Sequence, residues 1–139
     1  MKAPPNNIRA ERAVLGAVLL RPKDALADVA IQADVFYQPA HRAIFDAMLT
    51  LDRAARAIDP LTVADELTRR DEMRKLEGGE RYLVELLDAV PTAENVAHHA
   101  RILTQKARQR RLIEFHREGL ARAQEETDDP DQLQAETEQ

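Results

Sequence analysis

The chain has no cysteine, no tryptophan and no serine, and it carries only four glycines, two tyrosines and three phenylalanines in 139 residues. Without cysteine there is no disulfide scaffold and no thiolate metal site, and the composition fits the cytoplasm, which is the expected location. Without serine or cysteine the commonest side-chain nucleophiles are gone, and with them any Gly-x-Ser-x-Gly elbow. Few glycines and few aromatics argue against a turn-dense β fold. No apolar run approaches the ~18 residues of a membrane span. Residues 1–5 lack the apolar region of a signal peptide. Neither a Gly-x-x-x-x-Gly-Lys phosphate loop nor a Gly-x-Gly-x-x-Gly turn is present, so no cofactor is expected.

What the chain does have is charge, at 32% of residues, and helical periodicity. The net charge of −5 is set by the last residues: beyond position 124 there are seven acids and no base. Without them twenty bases face eighteen acids, so the body is close to neutral. That balance predicts neither an acidic-substrate trap nor a strong nucleic-acid footprint.

The expected fold class is all-α. The spacing predicts a first helix capped by Asn7, with Ile8, Val14, Leu15, Val18 and Leu19 on one face. Pro22 and Pro39 open the second and third helices, separated by a connector at residues 34–38 that holds Phe36 and Tyr37. Asp59-Pro60 is a strong helix start, with Leu61, Ala64 and Leu67 as its apolar stripe. Gly78-Gly79 is the clearest turn, followed by a helix with Leu83, Leu86 and Leu87 inward. Thr92 is expected to cap a last helix running to about residue 127, roughly 50 Å long. A small globule is not that wide, so the expected division is a helical head of five to six helices at 1–92 and a projecting helix at 93–139.

That last helix has two apolar faces. Val96, Ala100, Leu103 and Ala107 cluster on one side; Leu112, Ile113, Leu120 and Ala123 cluster on roughly the opposite side. The first stripe can dock on the head, while the second needs another surface. Asp129-Pro130 repeats the helix start of residues 59–60, with Leu133 as the first apolar contact of a second arm. The expectation is a helical hairpin whose second arm is truncated.

Chemistry is harder to find. His98 and His99 are adjacent and lack the i,i+4 spacing that puts two imidazoles on one metal. His41, near Tyr37 and Asp46, reads as a hydrogen-bond anchor for the Phe36–Tyr37 connector. Carboxylate pairs such as Asp65-Glu66 read as solvated or as offsets to helix dipoles. Between residues 101 and 122 seven bases (Arg101, Lys106, Arg108, Arg110, Arg111, Arg117 and Arg122) face only Glu114 and Glu118. A solvated or ion-paired helix, a protein interface and a nucleic-acid contact all remain open, in that order. Phosphate binding needs clustered bases, but single-strand binding also wants aromatics, and Phe115 alone stands in this stretch.

Five motifs in order form a resemblance. They are Pro5-x-x-Ile8-x-Ala10-Glu11-x-x-Val14-Leu15-Gly16; Phe36-Tyr37-x-x-x-His41-Arg42-x-Ile44-Phe45; Ile58-Asp59-x-x-Thr62; Gly78-Gly79-x-x-Tyr82-Leu83-x-x-Leu86; and Pro91-Thr92-Ala93-x-Asn95-Val96. Together they resemble the N-terminal domain of the DnaB-type replicative DNA helicases of bacteria. Two departures stand out. The family usually has a glycine near Asp71, and the following stretch to Gly78-Gly79 is about one residue long here. The family's ATP-hydrolysing domain, where ATP and Mg are expected, lies downstream of the part matched.

The resemblance implies a non-catalytic domain in which hairpins of neighbouring subunits pair into a collar, a trimer of dimers, on which primase docks. A helicase loader is a further partner it allows. DNA is met only indirectly, through the full ring, and no membrane is involved. Leu112, Ile113, Phe115, Leu120 and Leu133 are the expected subunit-interface residues. Arg101, Arg108, Arg111 and Arg122 are the expected partner-docking residues, facing the acidic stretch 125–138 within the chain or across a dimer. Association is expected to be weaker than with a complete second arm. Phe36, Tyr37, His41, Asp59, Gly78, Gly79 and Tyr82 are expected to be structural. The alternative is a nucleic-acid-binding module using the basic arm 101–122.

Overall fold

Three prolines and two side-chain caps set most of the helix starts. In the computed structural model, which describes residues 2–89 and 95–125, the Asn7 side chain accepts from the Ala10 N–H at 3.0 Å and opens α1 (Ile8–Leu20). Pro22 and Pro39 stand at the first positions of α2 (Pro22–Val29) and α3 (Pro39–Arg53), where a missing N–H costs nothing. Asp59 and Thr62 form a reciprocal capping box on α4 (Pro60–Arg69), with bonds of 2.8 and 2.9 Å. α5 (Glu80–Ala89) and α6 (Val96–Glu125) complete the helices, and short 3-10 turns lie at Ala33–Val35 and Met73–Lys75. Every described element is helical, and none of the described helices is long and apolar enough to cross a membrane.

α1 lies at the centre of the packing, against α5, α2 and α3, while α4 bridges α3 and α5. The expected residues Val14, Leu15, Val18, Leu67, Leu83 and Leu86 are wholly buried, and Ile44, Phe45 and Met48 of α3 complete the core with them. Leu61 departs from expectation. It is 62% exposed, and Val63 takes its place in the core. At 100° per residue Leu61 falls about 120° from Leu67, outside the sector that α4 turns inward.

Three helix ends differ from what turn chemistry predicts. Ala30, Ala55 and Asp71 adopt left-handed φ of 46°, 56° and 58°. After α3, Ala55 N–H donates to Asp52 O at 3.0 Å and Arg56 N–H to Leu51 O at 2.9 Å. After α4, Asp71 N–H donates to Thr68 O at 3.1 Å and Glu72 N–H to Leu67 O at 2.8 Å. Both are Schellman endings, which normally place glycine where these chains have alanine and aspartate. The glycine usual near Asp71 in the resembled family thus has a conformational reason. We expect Ala55→Gly to raise stability by about 0.5–1 kcal/mol, because relief of the left-handed strain exceeds the added chain entropy. Urea denaturation checks this; a loss of stability would contradict the assignment. Gly78 and Gly79 have φ of 86° and 63°, and here glycine is what the turn requires.

α4 is tied to α3 by charge. Arg69 and Arg70 both bond the Glu66 carboxylate, at 2.5 and 2.9 Å, and Arg70 reaches Asp46 at 2.7 Å and the Thr50 hydroxyl. The Arg69 and Arg70 hydrogen bonds hold the Glu66 carboxyl at about 2, down from 4.5. Because the folded value lies below the unfolded one, this stabilisation is complete above pH 4.5 and is lost as pH falls toward 2. Glu66→Gln is therefore expected to flatten the fall in melting temperature over that window. An unchanged acid limb would show that the pair contributes nothing.

The last helix begins later than expected. Asn95, with φ of 67°, precedes it and accepts from His99 N–H at 3.1 Å through its carbonyl, so α6 starts at Val96. The Thr92 cap, the Asp129-Pro130 start, Leu133 and the acids beyond Glu125 lie outside the described residues. Two compact units divide the chain, Met1–Ala107 and Arg108–Gln139.

Candidate functional site

Two groups of residues singled out by sequence prove to be different things. The first lies in the core of Met1–Ala107 and is structural. Glu11, wholly buried, accepts from the Tyr37 N–H at 2.6 Å, the Gln38 N–H at 3.3 Å and His41 Nδ1 at 2.7 Å. His41, 2% exposed, meets the Tyr82 hydroxyl through Nε2 at 2.5 Å. The pattern closes with the proton on Nδ1 and the tyrosine donating to Nε2, an assignment made from the bonding network. Burial, reinforced by Glu11 and opposed by Arg12, pushes the Tyr82 hydroxyl above its ordinary range. The Arg12 guanidinium covers that ring at 5.8 Å.

This chain of bonds joins α1, the start of α3 and α5. Arg42 adds bonds to the carbonyls of Phe36 and Tyr37, at 3.1 and 3.0 Å. His41 therefore helps anchor the Phe36–Tyr37 connector, but through Glu11, which sequence reading left unassigned. The missed signal was position: Glu11 stands three and four residues before Val14 and Leu15, on the face that is buried. Both Glu11 and His41 are closed to solvent, so the pair ties elements together rather than reacting with a substrate.

The second group lies on α6. Val96, Ala100, Leu103 and Ala107 are its buried residues. From Arg108 to Glu125 no side chain is buried, and Leu112, Ile113, Phe115 and Leu120 are 57%, 38%, 50% and 59% exposed. At 100° per residue, Leu112, His116, Gly119 and Ala123 fall within roughly 60° of one another, flanked by Ile113 and Leu120 on one side and Phe115 on the other. The opposite sector holds Arg111, Glu114, Glu118, Arg122 and Glu125. Arg101, Arg108, Arg111 and Arg122 are all exposed. The unit thus presents an amphipathic helical face with four large apolar side chains in nine residues, more than scattered surface hydrophobics account for.

Fold and surface together define a class: a small all-α domain with a closed core and one amphipathic helical face left to solvent. Residues 3–105 match the family model described as DnaB-like helicase N terminal domain. The replicative DNA helicase DnaB of Mycobacterium leprae (strain TN) is 44% identical over 115 residues, 81% of this chain and 19% of that protein. The Geobacillus stearothermophilus DnaB is 45% identical over 114 residues, 81% and 25% of the two chains. The crystal structure of the N-terminal domain of DnaB helicase from Mycobacterium tuberculosis superposes with a TM-score of 0.90 at 38% identity, covering 98% of this chain and 96% of that one. A structure of a DnaB-like replicative helicase and its interactions with primase gives 0.72 at 25% identity, over 83% and 26%. The chain belongs to the DnaB-like helicase N-terminal domain family, and it spans about a fifth to a quarter of the length of these curated relatives.

Proposed function

We propose that this chain is the assembly and docking domain of a hexameric replicative DNA helicase, holding subunits together through α6 and receiving primase during replication. The observation that carries it is the uncovered stripe Leu112, Ile113, Phe115 and Leu120. Burying the exposed half of four such side chains on each of two copies contributes about 1 kcal/mol per side chain, a total of the same order as the freedom of motion lost on association, so the stripe supports association of modest affinity. Leu133 extends the apolar series in this reading. Arg101, Arg108, Arg111 and Arg122 supply a charged rim that selects partners more than it binds them. ATP and Mg belong to a separate motor domain, and this domain itself needs no cofactor. The role places it in the bacterial cytoplasm. Support for primase as partner comes from the relative solved with its primase interactions.

Isothermal titration of the chain with primase from the same cell tests the docking half. Saturable heat that vanishes when Leu112 and Ile113 are both changed to Asp is expected; no heat with the unaltered chain would overturn it. The nucleic-acid reading draws on the seven bases of 101–122, but they divide between two sides of the helix, Arg101, Arg108, Arg111 and Arg122 on one and Lys106, Arg110 and Arg117 on another. Fluorescence anisotropy with single-stranded DNA is expected to give negligible binding. Affinity falling steeply with salt would favour that reading instead.

A further inference from the structure

A shallow groove of roughly 560 Å3 runs between α1 and the first turns of α6, within Met1–Ala107. Arg9 and Arg12 stand on its α1 wall, His99 on its α6 wall, and Ala10 and Ile102 help form its floor. Among the described residues no carboxylate lines it. Among the described residues Arg12 meets the Tyr82 ring and neither Arg9 nor Arg12 has an ion pair. Burial holds the His99 imidazole below its ordinary range, so at neutral pH the positive charge of the groove is carried by the two arginines.

We propose that this groove is a docking site for a carboxylate-rich peptide, and that its occupant is the acidic stretch 125–138 of a second copy of this chain. Arginines three residues apart on a helix share a face, and their planar forks match carboxylates pairwise. Two guanidinium groups are too few for a nucleic-acid track, and among the described lining residues there is no Phe, Tyr or Trp to stack a base. The stretch 125–138 offers seven carboxylates and no base. The proposal rests on the self-association above only in that assembly raises the local concentration of the second copy's acids.

The test uses a chain that cannot self-associate, so the two ideas fail separately. The full chain carries Ile113→Asp, with Glu125, Glu126, Asp128, Asp129 and Asp131 changed to their amides so that it does not compete. A labelled synthetic peptide of residues 124–139 is titrated by anisotropy. Saturable binding is expected, weakened at least ~10-fold by Arg9→Glu with Arg12→Glu, and in the same direction by Arg9→Glu alone, which spares the Tyr82 ring. Arg21→Glu with Arg56→Glu, cations outside the groove, should leave it unchanged. Absent binding, an equal loss in that control, or tighter binding of an oligothymidylate would overturn the site. A photo-cross-linker at position 9, in an otherwise unaltered mixture of isotope-labelled and unlabelled chains, should join position 9 to residues 125–138 across labels. Cross-links confined to a single label would overturn the second copy as occupant.

Discussion

If α6 joins copies as proposed, Ile113→Asp is expected to leave the chain a monomer and its helicity within a few per cent. Ile113 is 38% exposed, flanks the centre of the apolar face beside Leu112, and is not among the core residues of Met1–Ala107. In each copy the substitution removes about 1 kcal/mol of further apolar burial and forces a carboxylate to be desolvated instead. In a symmetric pair both copies suffer, so the dissociation constant should rise by at least ~100-fold. Light scattering reads the mass and circular dichroism the helix content. An unchanged mass would remove the stripe from the interface, and a large loss of helicity would mean that the change acts on folding. Arg122→Ala, on the polar sector of the same helix, should move the mass little, because exposed pairs contribute only a few tenths of a kcal/mol.

The largest stability effect should come from Glu11→Ala. The alanine leaves His41 Nδ1 and the Tyr37 and Gln38 N–H groups without the acceptor they share, all in or beside the core. Leaving buried donors without their acceptor costs roughly 1–3 kcal/mol each, so losing an acceptor shared by three is a large part of the roughly 5–15 kcal/mol typical of a domain. Tyr82→Phe removes only the outer bond and should cost about 1 kcal/mol. Urea denaturation orders the two; a Glu11→Ala loss smaller than that of Tyr82→Phe would show that the network is not what joins α1 to α3 and α5.

These two groups mark what sequence does and does not display. Helix starts were readable because the chemistry is local: Asn7, Pro22, Pro39 and the Asp59-Pro60 pair act within a turn. The change of apolar face along α6 was readable for the same reason, since a 3.6-residue period is kept within one helix. The Glu11 tie was not, because its partners lie 26 to 30 residues away and a charged residue in an apolar stripe is explained only by them. Nor were the endings at Ala30, Ala55 and Asp71, where packing imposes a backbone that glycine would adopt at lower cost. The start of α6 was misplaced because Thr92 has the chemistry of a cap, whereas Asn95 supplies the first helical carbonyl from a left-handed conformation. For the apolar stripe of α6, sequence supplied the candidates and the structure supplied the exposure of Leu112, Ile113, Phe115 and Leu120.

Sedimentation velocity of the unaltered chain over a hundredfold range of concentration tests the central claim most directly. If the face carrying Leu112, Ile113, Phe115 and Leu120 joins one copy to another, the weight-average coefficient climbs with concentration and Ile113→Asp abolishes the climb. A single monomeric boundary at every concentration would contradict the account.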